Sequence, residues 1–127
     1  MIEISTIGAV RSIVEMLMNA GVEDIVLSPG SRNAPITLSL SAISDFKCIS
    51  VVDERTAAFM ALGMAQRSGK PVVICCTSGS AMLNYAPAIS EAYYQRVPII
   101  MITADRPVEW IDQGEGQSIR QLEVLNG

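Results

Sequence analysis

Asp53, Glu54 and Arg55 stand together in "ISVVDERTAAFMALGMAQRSGKP", between a short β-branched run and a helical pattern with almost no polar face. An acid in that place has two uses. The backbone dipole favours a carboxylate in the first turn of a helix by about 0.3–1 kcal/mol, so Asp53 would cap and Glu54 would complete the electrostatics. A carboxyl group in a low-dielectric cleft also tends toward a raised pKa, which suits sharing a proton with a ring nitrogen of a bound ligand. Capping accounts for one acid, and two are present.

Other polar residues recur at equivalent places. The turns "SPGSRN", "DERT", "TSGS" and "ADRP" each follow a short apolar run, and they bring Arg32, Arg55 and Arg106, three of only nine basic residues, to one expected edge. Two readings stand: helix caps and solvated turns, or a positive rim for a small anionic ligand. Familiar motifs are excluded. "SPGSRN" lacks the spacing of an ATP-binding loop, and no G-x-G-x-x-G follows the first apolar run. "TSGSA" lacks the first glycine of a nucleophile elbow, and the chain has no histidine to activate Ser78 or Ser80, to ligate a metal or to serve as an imidazole acid or base. The "TSGS" loop can still offer backbone N–H groups at a helix start.

The elements that must position these turns are legible as four runs, "EDIVLS", "KCISVVD", "PVVICCT" and "VPIIMITA", at intervals of roughly 25 residues that leave room for helices. Continuous apolar runs predict strands buried on both faces of a parallel sheet covered by helices, an α/β fold of three α/β/α layers. In such a sheet the ligand crevice lies beyond the carboxyl ends of the strands. Helices are expected over "STIGAVRSIVEMLMNAG", after a Ser/Thr cap and ending at Gly21, and from Asp53 to Gly69. The run of Ala57, Ala58, Phe59, Ala61, Leu62 and Met64 leaves the second of these almost no polar face and predicts that it is buried. Pro87 should kink or divide the helix over "GSAMLNYAPAISEAYYQR". After the fourth run the chain is polar and Gly-rich, with a short last helix expected and no further strand.

Composition narrows the partners. The 127 residues suit one domain, and with half of them hydrophobic and 17% charged they can drive a core. A formal charge of −4 without clustered Lys or Arg argues against nucleic acid. No stretch approaches the roughly 20 apolar residues of a membrane span, and Glu3 stands where a signal peptide carries positive charge, so a cytoplasmic location is expected. Cys48, Cys75 and Cys76 fall in apolar runs and are read as buried structural thiols.

The ordered set "SPGSRNAP", "DERTAAFMALGMA", "SGKPVVICCTSGSAMLNYAPAISEA", "VPIIMITADRP" and "GEGQSIRQ", spanning residues 8 to 121, resembles the N-terminal pyrimidine-binding domain of thiamin-diphosphate enzymes. "SPGSR" and "TADRP" are similar to the menaquinone-pathway transferases of that family, which decarboxylate 2-oxoglutarate and add the succinyl unit to isochorismate. The resemblance implies that Glu54 hydrogen-bonds N1' of the aminopyrimidine. Polarising N1' acidifies the exocyclic amine, whose imino form takes the thiazolium C2 proton, so no histidine is needed. It further implies that Thr77, Ser78 and Gly79 line the cofactor cleft, and that Ser31, Arg32, Arg106 and Gln117 contact substrate. Two arginines with amide and hydroxyl donors suit carboxylate-rich substrates. A competing expectation for Arg106 is an ion pair with Asp105 or Glu109.

One stretch departs from the family. Where its members carry G-A-N-Q, this chain has "GEGQ", so Glu115 and Gly116 replace an alanine and an asparagine, and a backbone group or water must substitute at Gly116, or the substrate pose differs. The family's G-D-G motif, which holds diphosphate through Mg²⁺, is not in this sequence. The resemblance therefore implies that residues 1–127 are a pyrimidine-binding domain without the central and diphosphate-binding domains. Such a piece would be inactive alone and part of a homo-oligomer whose site forms between subunits. Two other readings stay open: a doubly wound module that binds a small anion, and a piece whose uncovered apolar faces make it self-associate.

Overall fold

The four Val- and Ile-rich runs form one parallel sheet, in a computed structural model that describes residues 4–126. Helix α1 (Gly8–Asn19) leads to strand β1 (Asp24–Leu27), then α2 (Ala34–Ser41), β2 (Lys47–Ser50), α3 (Glu54–Ser68) and β3 (Val72–Cys76). A 3-10 helix (Gly79–Tyr85), α4 (Ala86–Gln95), β4 (Ile99–Thr103) and a second 3-10 turn (Val108–Trp110) follow. The strand order is β2-β1-β3-β4, all pairs parallel. Right-handed crossovers that step in opposite directions from β1 must leave helices on opposite faces. Accordingly α1 and α2 cover one face through Val14, Leu17, Ile36 and Leu40, while α3 and α4 cover the other through Ala57, Ala58, Ala61 and Ala88. The expected three layers are present.

Helix ends follow the sequence signals at some places and not at others. Asp53 accepts from the Thr56 N–H at 2.8 Å, the N-cap bond expected of it. At its far end α3 stops at Gly69, which takes φ +68 and donates to the Ala65 carbonyl. Helix α1 ends as expected around Gly21, with Gly21 N–H bonded to Met18 O and Val22 N–H to Leu17 O. Its start differs: the N-cap is Ile7, with no side-chain cap, because Ser5 Oγ instead accepts the Ile7 N–H at 3.2 Å. Pro87 divides its segment, falling in the first turn of α4 just after the 3-10 helix, where its missing N–H costs nothing.

Burial on both faces is limited to the two inner strands. All of β3 and most of β1 are buried, but β2 and β4 are half-buried or exposed because each has a strand on one side only. Helix α3 is likewise only half covered. Its alanines lie flat against the sheet, whereas Phe59, Met60 and the preceding Val52 stay exposed. After Trp110 the described chain forms turns and no further α-helix, so the expected last helix is not seen among the described residues. No described helix is long and apolar enough to cross a membrane.

Cys75 and Cys76 are fully buried and Cys48 is half-buried. Burial pushes the Cys76 thiol up to about 12, and it raises Cys75 and the phenol of Tyr85 as well. The folded chain thus keeps a proton on Cys76 that the unfolded chain releases near its ordinary 9.0. This contribution is complete below that pH and is lost as pH rises toward 12. Urea midpoints are expected to fall between pH 8 and pH 10.5, and to fall less in Cys76→Ala; equal midpoints in the unsubstituted chain would contradict it.

Candidate active site at the carboxyl edge of the sheet

The registers Leu27 with Ser50, Leu27 with Cys75 and Cys76 with Thr103 bring all four strands to an end at one edge. Because the chain leaves β1 toward β2 and returns on the other side as β3, the ends of β1 and β3 form a topological switch point, the place where sheets of this kind hold their ligands. Ser28 and Asn33 build the turn after β1. Ser28 Oγ donates to Val51 O at 2.8 Å, and Asn33 Nδ2 donates to Ser28 O at 3.1 Å, both side chains being buried. Gly30 then lies against the turn after β3 so closely that a Cβ there would sit 2.5 Å from Thr77 Cβ.

Glu54 occupies the first position of α3, after the Asp53 cap, and is half-buried. The alanine face of α3 lets this helix lie close to β1 and β3, and Glu54 begins it at the edge where the strands end. Its charge reaches Cys76, adding to the rise of that thiol after burial and Cys75. Among the described residues Glu54 forms no ion pair. At the opposite, amino edge of the sheet the arrangement reverses. There Glu23 binds Lys70 at 2.8 Å and Lys47 at 2.9 Å, which hold its carboxyl down to about 2.

Three of the four expected substrate residues belong to one constellation. Arg32 Nη1 donates to Gln117 Oε1, joining positions 85 apart in the chain. Arg106 Nη2 donates to Gly116 O at 3.0 Å, and its guanidinium lies 5.4 Å from the centre of the Trp110 ring. Gly116 thus takes part through its carbonyl, which accepts from Arg106. Among the described residues no ion pair involves Arg106, so the alternative pairing with Asp105 or Glu109 is not formed; Asp105 Oδ1 instead accepts the Arg106 backbone N–H. Arg106 Nε is buried without a protein partner. Ser31 lines a groove of about 560 Å³ with Ile4, Pro35 and Leu38. Arg55 is exposed and lines a surface hollow with Thr56, Phe59 and Met60.

The turn after β3 offers less backbone than its sequence promised. Gly79 N–H is already taken by Gln121 Oε1 at 2.6 Å, and Ser78 Oγ donates to Gln117 O at 2.9 Å. Thr77 Oγ1 in the same turn is buried and without a protein partner. A half-buried carboxylate free of ion pairs at the edge of a sheet whose Cys76 and Tyr85 are fully buried suits a polar heteroaromatic ring such as an aminopyrimidine. Among the described residues no group of three or more His, Cys, Asp or Glu side chains could hold a metal ion. Gln121 escaped the sequence reading, because both of its partners are main-chain groups.

Comparison with known proteins gives the same direction. Residues 8–124 match the family described as thiamine pyrophosphate enzyme, N-terminal TPP binding domain. A 2-succinyl-5-enolpyruvyl-6-hydroxy-3-cyclohexene-1-carboxylate synthase of Cytophaga hutchinsonii is 58% identical over 116 residues, 91% of this chain and 21% of that protein. Proteins of the same name from Flavobacterium johnsoniae and Porphyromonas gingivalis are 52% and 50% identical, over 94% and 93% of this chain and 22% and 20% of their own lengths. The chain spans about a fifth of the length of the curated relatives it matches. With four parallel strands in the order of a switch-point sheet and a family match over residues 8–124, the chain belongs to the thiamine pyrophosphate enzymes through their N-terminal TPP binding domain.

Proposed function

We propose that the full-length protein containing this chain is a thiamin-diphosphate-dependent carboligase that decarboxylates 2-oxoglutarate and adds the succinyl unit to isochorismate. The observation that carries this reading is the meeting of Arg32, Arg106 and the Gly116–Gln117 stretch at the edge where Glu54 stands. Its relatives' shared name supports the choice of substrates. Thiamin diphosphate, when bound, supplies the nucleophilic carbon and electron sink that decarboxylation of a 2-oxo acid requires. Glu54 would hold or release a proton at its carboxylate against a ring nitrogen, and Thr77 with the Ser78–Gly79 turn would line the ring. Arg32 and Arg106 would bind substrate carboxylates through paired N–H donors. Mg²⁺ and the diphosphate would be held by groups outside these residues.

In this reading the protein acts in the cytoplasm as a homo-oligomer. Val52, Phe59 and Met60, exposed along α3 beside Glu54, supply an apolar surface suited to a second copy.

The test is turnover by the full-length protein with thiamin diphosphate, Mg²⁺, 2-oxoglutarate and isochorismate. Cofactor-dependent CO₂ release with formation of the succinylated product is expected; CO₂ release from another 2-oxo acid, with no carboligation, would redirect the assignment within the family. In the same assay Arg32→Ala or Arg106→Ala should raise KM for an acidic substrate by roughly 10- to 100-fold, the worth of a charge-assisted hydrogen bond. Cofactor affinity should change far less, and equal losses in both would count against substrate contact.

A further inference from the structure

We propose that Gln121 is a positioning residue, whose single amide fixes the 116–121 segment over the crevice and so sets the aim of Arg32 and Arg106. Gln121 is only 7% exposed although it stands in a polar, turn-rich stretch. Its Oε1 accepts the Gly79 N–H at 2.6 Å and its Nε2 donates to Ala104 O at 2.9 Å. One side chain therefore ties the turn after β3 to the end of β4. Both partners are backbone groups of opposite kind, so only an amide satisfies them together: a carboxylate lacks the donor, and an aliphatic side chain lacks both.

The second tie is Ser78 Oγ on Gln117 O, and between the two the backbone turns back through Gln117 at φ +58. At that bend Gly116 O receives Arg106 and Gln117 Oε1 receives Arg32. Loss of the Gln121 bonds would leave a buried N–H and a buried carbonyl unpaired, and the segment would relax away from the β3 turn to hydrate them. Both arginines would then lose the partners that orient them. Gln121 touches no substrate in this scheme and acts through residues 116 and 117.

The kinetic part of this inference rests on the carboligase reading; the structural part does not, and the experiment separates them. In the full-length protein, Gln121→Met is expected to raise KM for the acidic substrates at least about tenfold, with thiamin-diphosphate affinity within about twofold. Gln121→Glu, which keeps the acceptor for Gly79, is expected to fall between Met and wild type. Amide hydrogen exchange should quicken in peptides covering 78–80 and 114–121 and stay unchanged in peptides covering α1 and β1. If Gln121→Met fails to fold, Gln121→Glu alone decides by the same two measurements. Unaltered exchange, or a KM that does not move, would overturn the positioning role, as would equal losses of substrate and cofactor affinity. A wild-type protein that does not turn over the substrate pair would sink the carboligase reading, and the exchange comparison would still decide whether Gln121 fixes the segment.

Discussion

Glu54→Gln in the full-length protein is expected to lower carboligation by roughly 100- to 10,000-fold, the range for removing a positioned proton donor or acceptor, while the chain still folds. Glutamine keeps the length and volume of the side chain and can still offer a hydrogen bond to a ring nitrogen. It cannot take up or give away a proton there. The structural cost is small because Asp53, not Glu54, accepts the Thr56 N–H and caps α3. What Glu54 gives the fold is its charge in the first turn, worth about 0.3–1 kcal/mol. Turnover and the urea midpoint measured on the same preparation check both halves. Near-normal turnover would defeat the assignment of Glu54, and a large fall in the midpoint would mean the residue is mainly structural.

Gly79→Ala is expected to damage stability and substrate binding together. Gly79 takes φ +84, a backbone region that an L side chain enters only with strain, and a Cβ there would meet Gln117 Cα at 2.7 Å. That neighbour is backbone and cannot swing aside. The strained dihedral and the collision together should cost about 1–3 kcal/mol of stability. Relief comes by pushing Gln117 and Gly116 outward, which displaces the partners of Arg32 and Arg106; a displacement near 1 Å is worth roughly 100-fold in kcat/KM. Unfolding midpoints and steady-state kinetics of the full-length variant test this, and wild-type values in both would contradict it.

The architecture was legible because its signals are local. Runs such as "PVVICC" can only be strands with helices over them, and the spacing of the runs dictates parallel crossovers. The Asp53 cap, the Gly21 and Gly69 stops and the division at Pro87 all depend on residues within a few positions of each other. Glu54 could be singled out for the same reason, as one acid more than a cap requires. Less legible was anything decided across the fold. Whether β2 and β4 would be covered depends on what lies beside them, and their apolar sequence is much like that of the inner strands. The Arg32 contact with Gln117 across 85 positions follows from where turns meet in space. Gln121 was invisible on these grounds: its partners, Gly79 and Ala104, are main-chain atoms that carry no side-chain signature.

The central sheet is also a partition wall. The side chains of Ile25, Leu27, Val73 and Cys75 pack with α1 and α2, those of Val26, Val72, Ile74 and Cys76 pack with α3 and α4, and the two groups share no member. Glu54 stands on α3, and behind it lie the small alanines that set its depth. Sequence drift in α1 or α2 can therefore be absorbed in its own compartment, since substitutions in separate clusters without shared partners add nearly independently. A core change beneath α1 should therefore leave the alanine bed of Glu54 undisturbed.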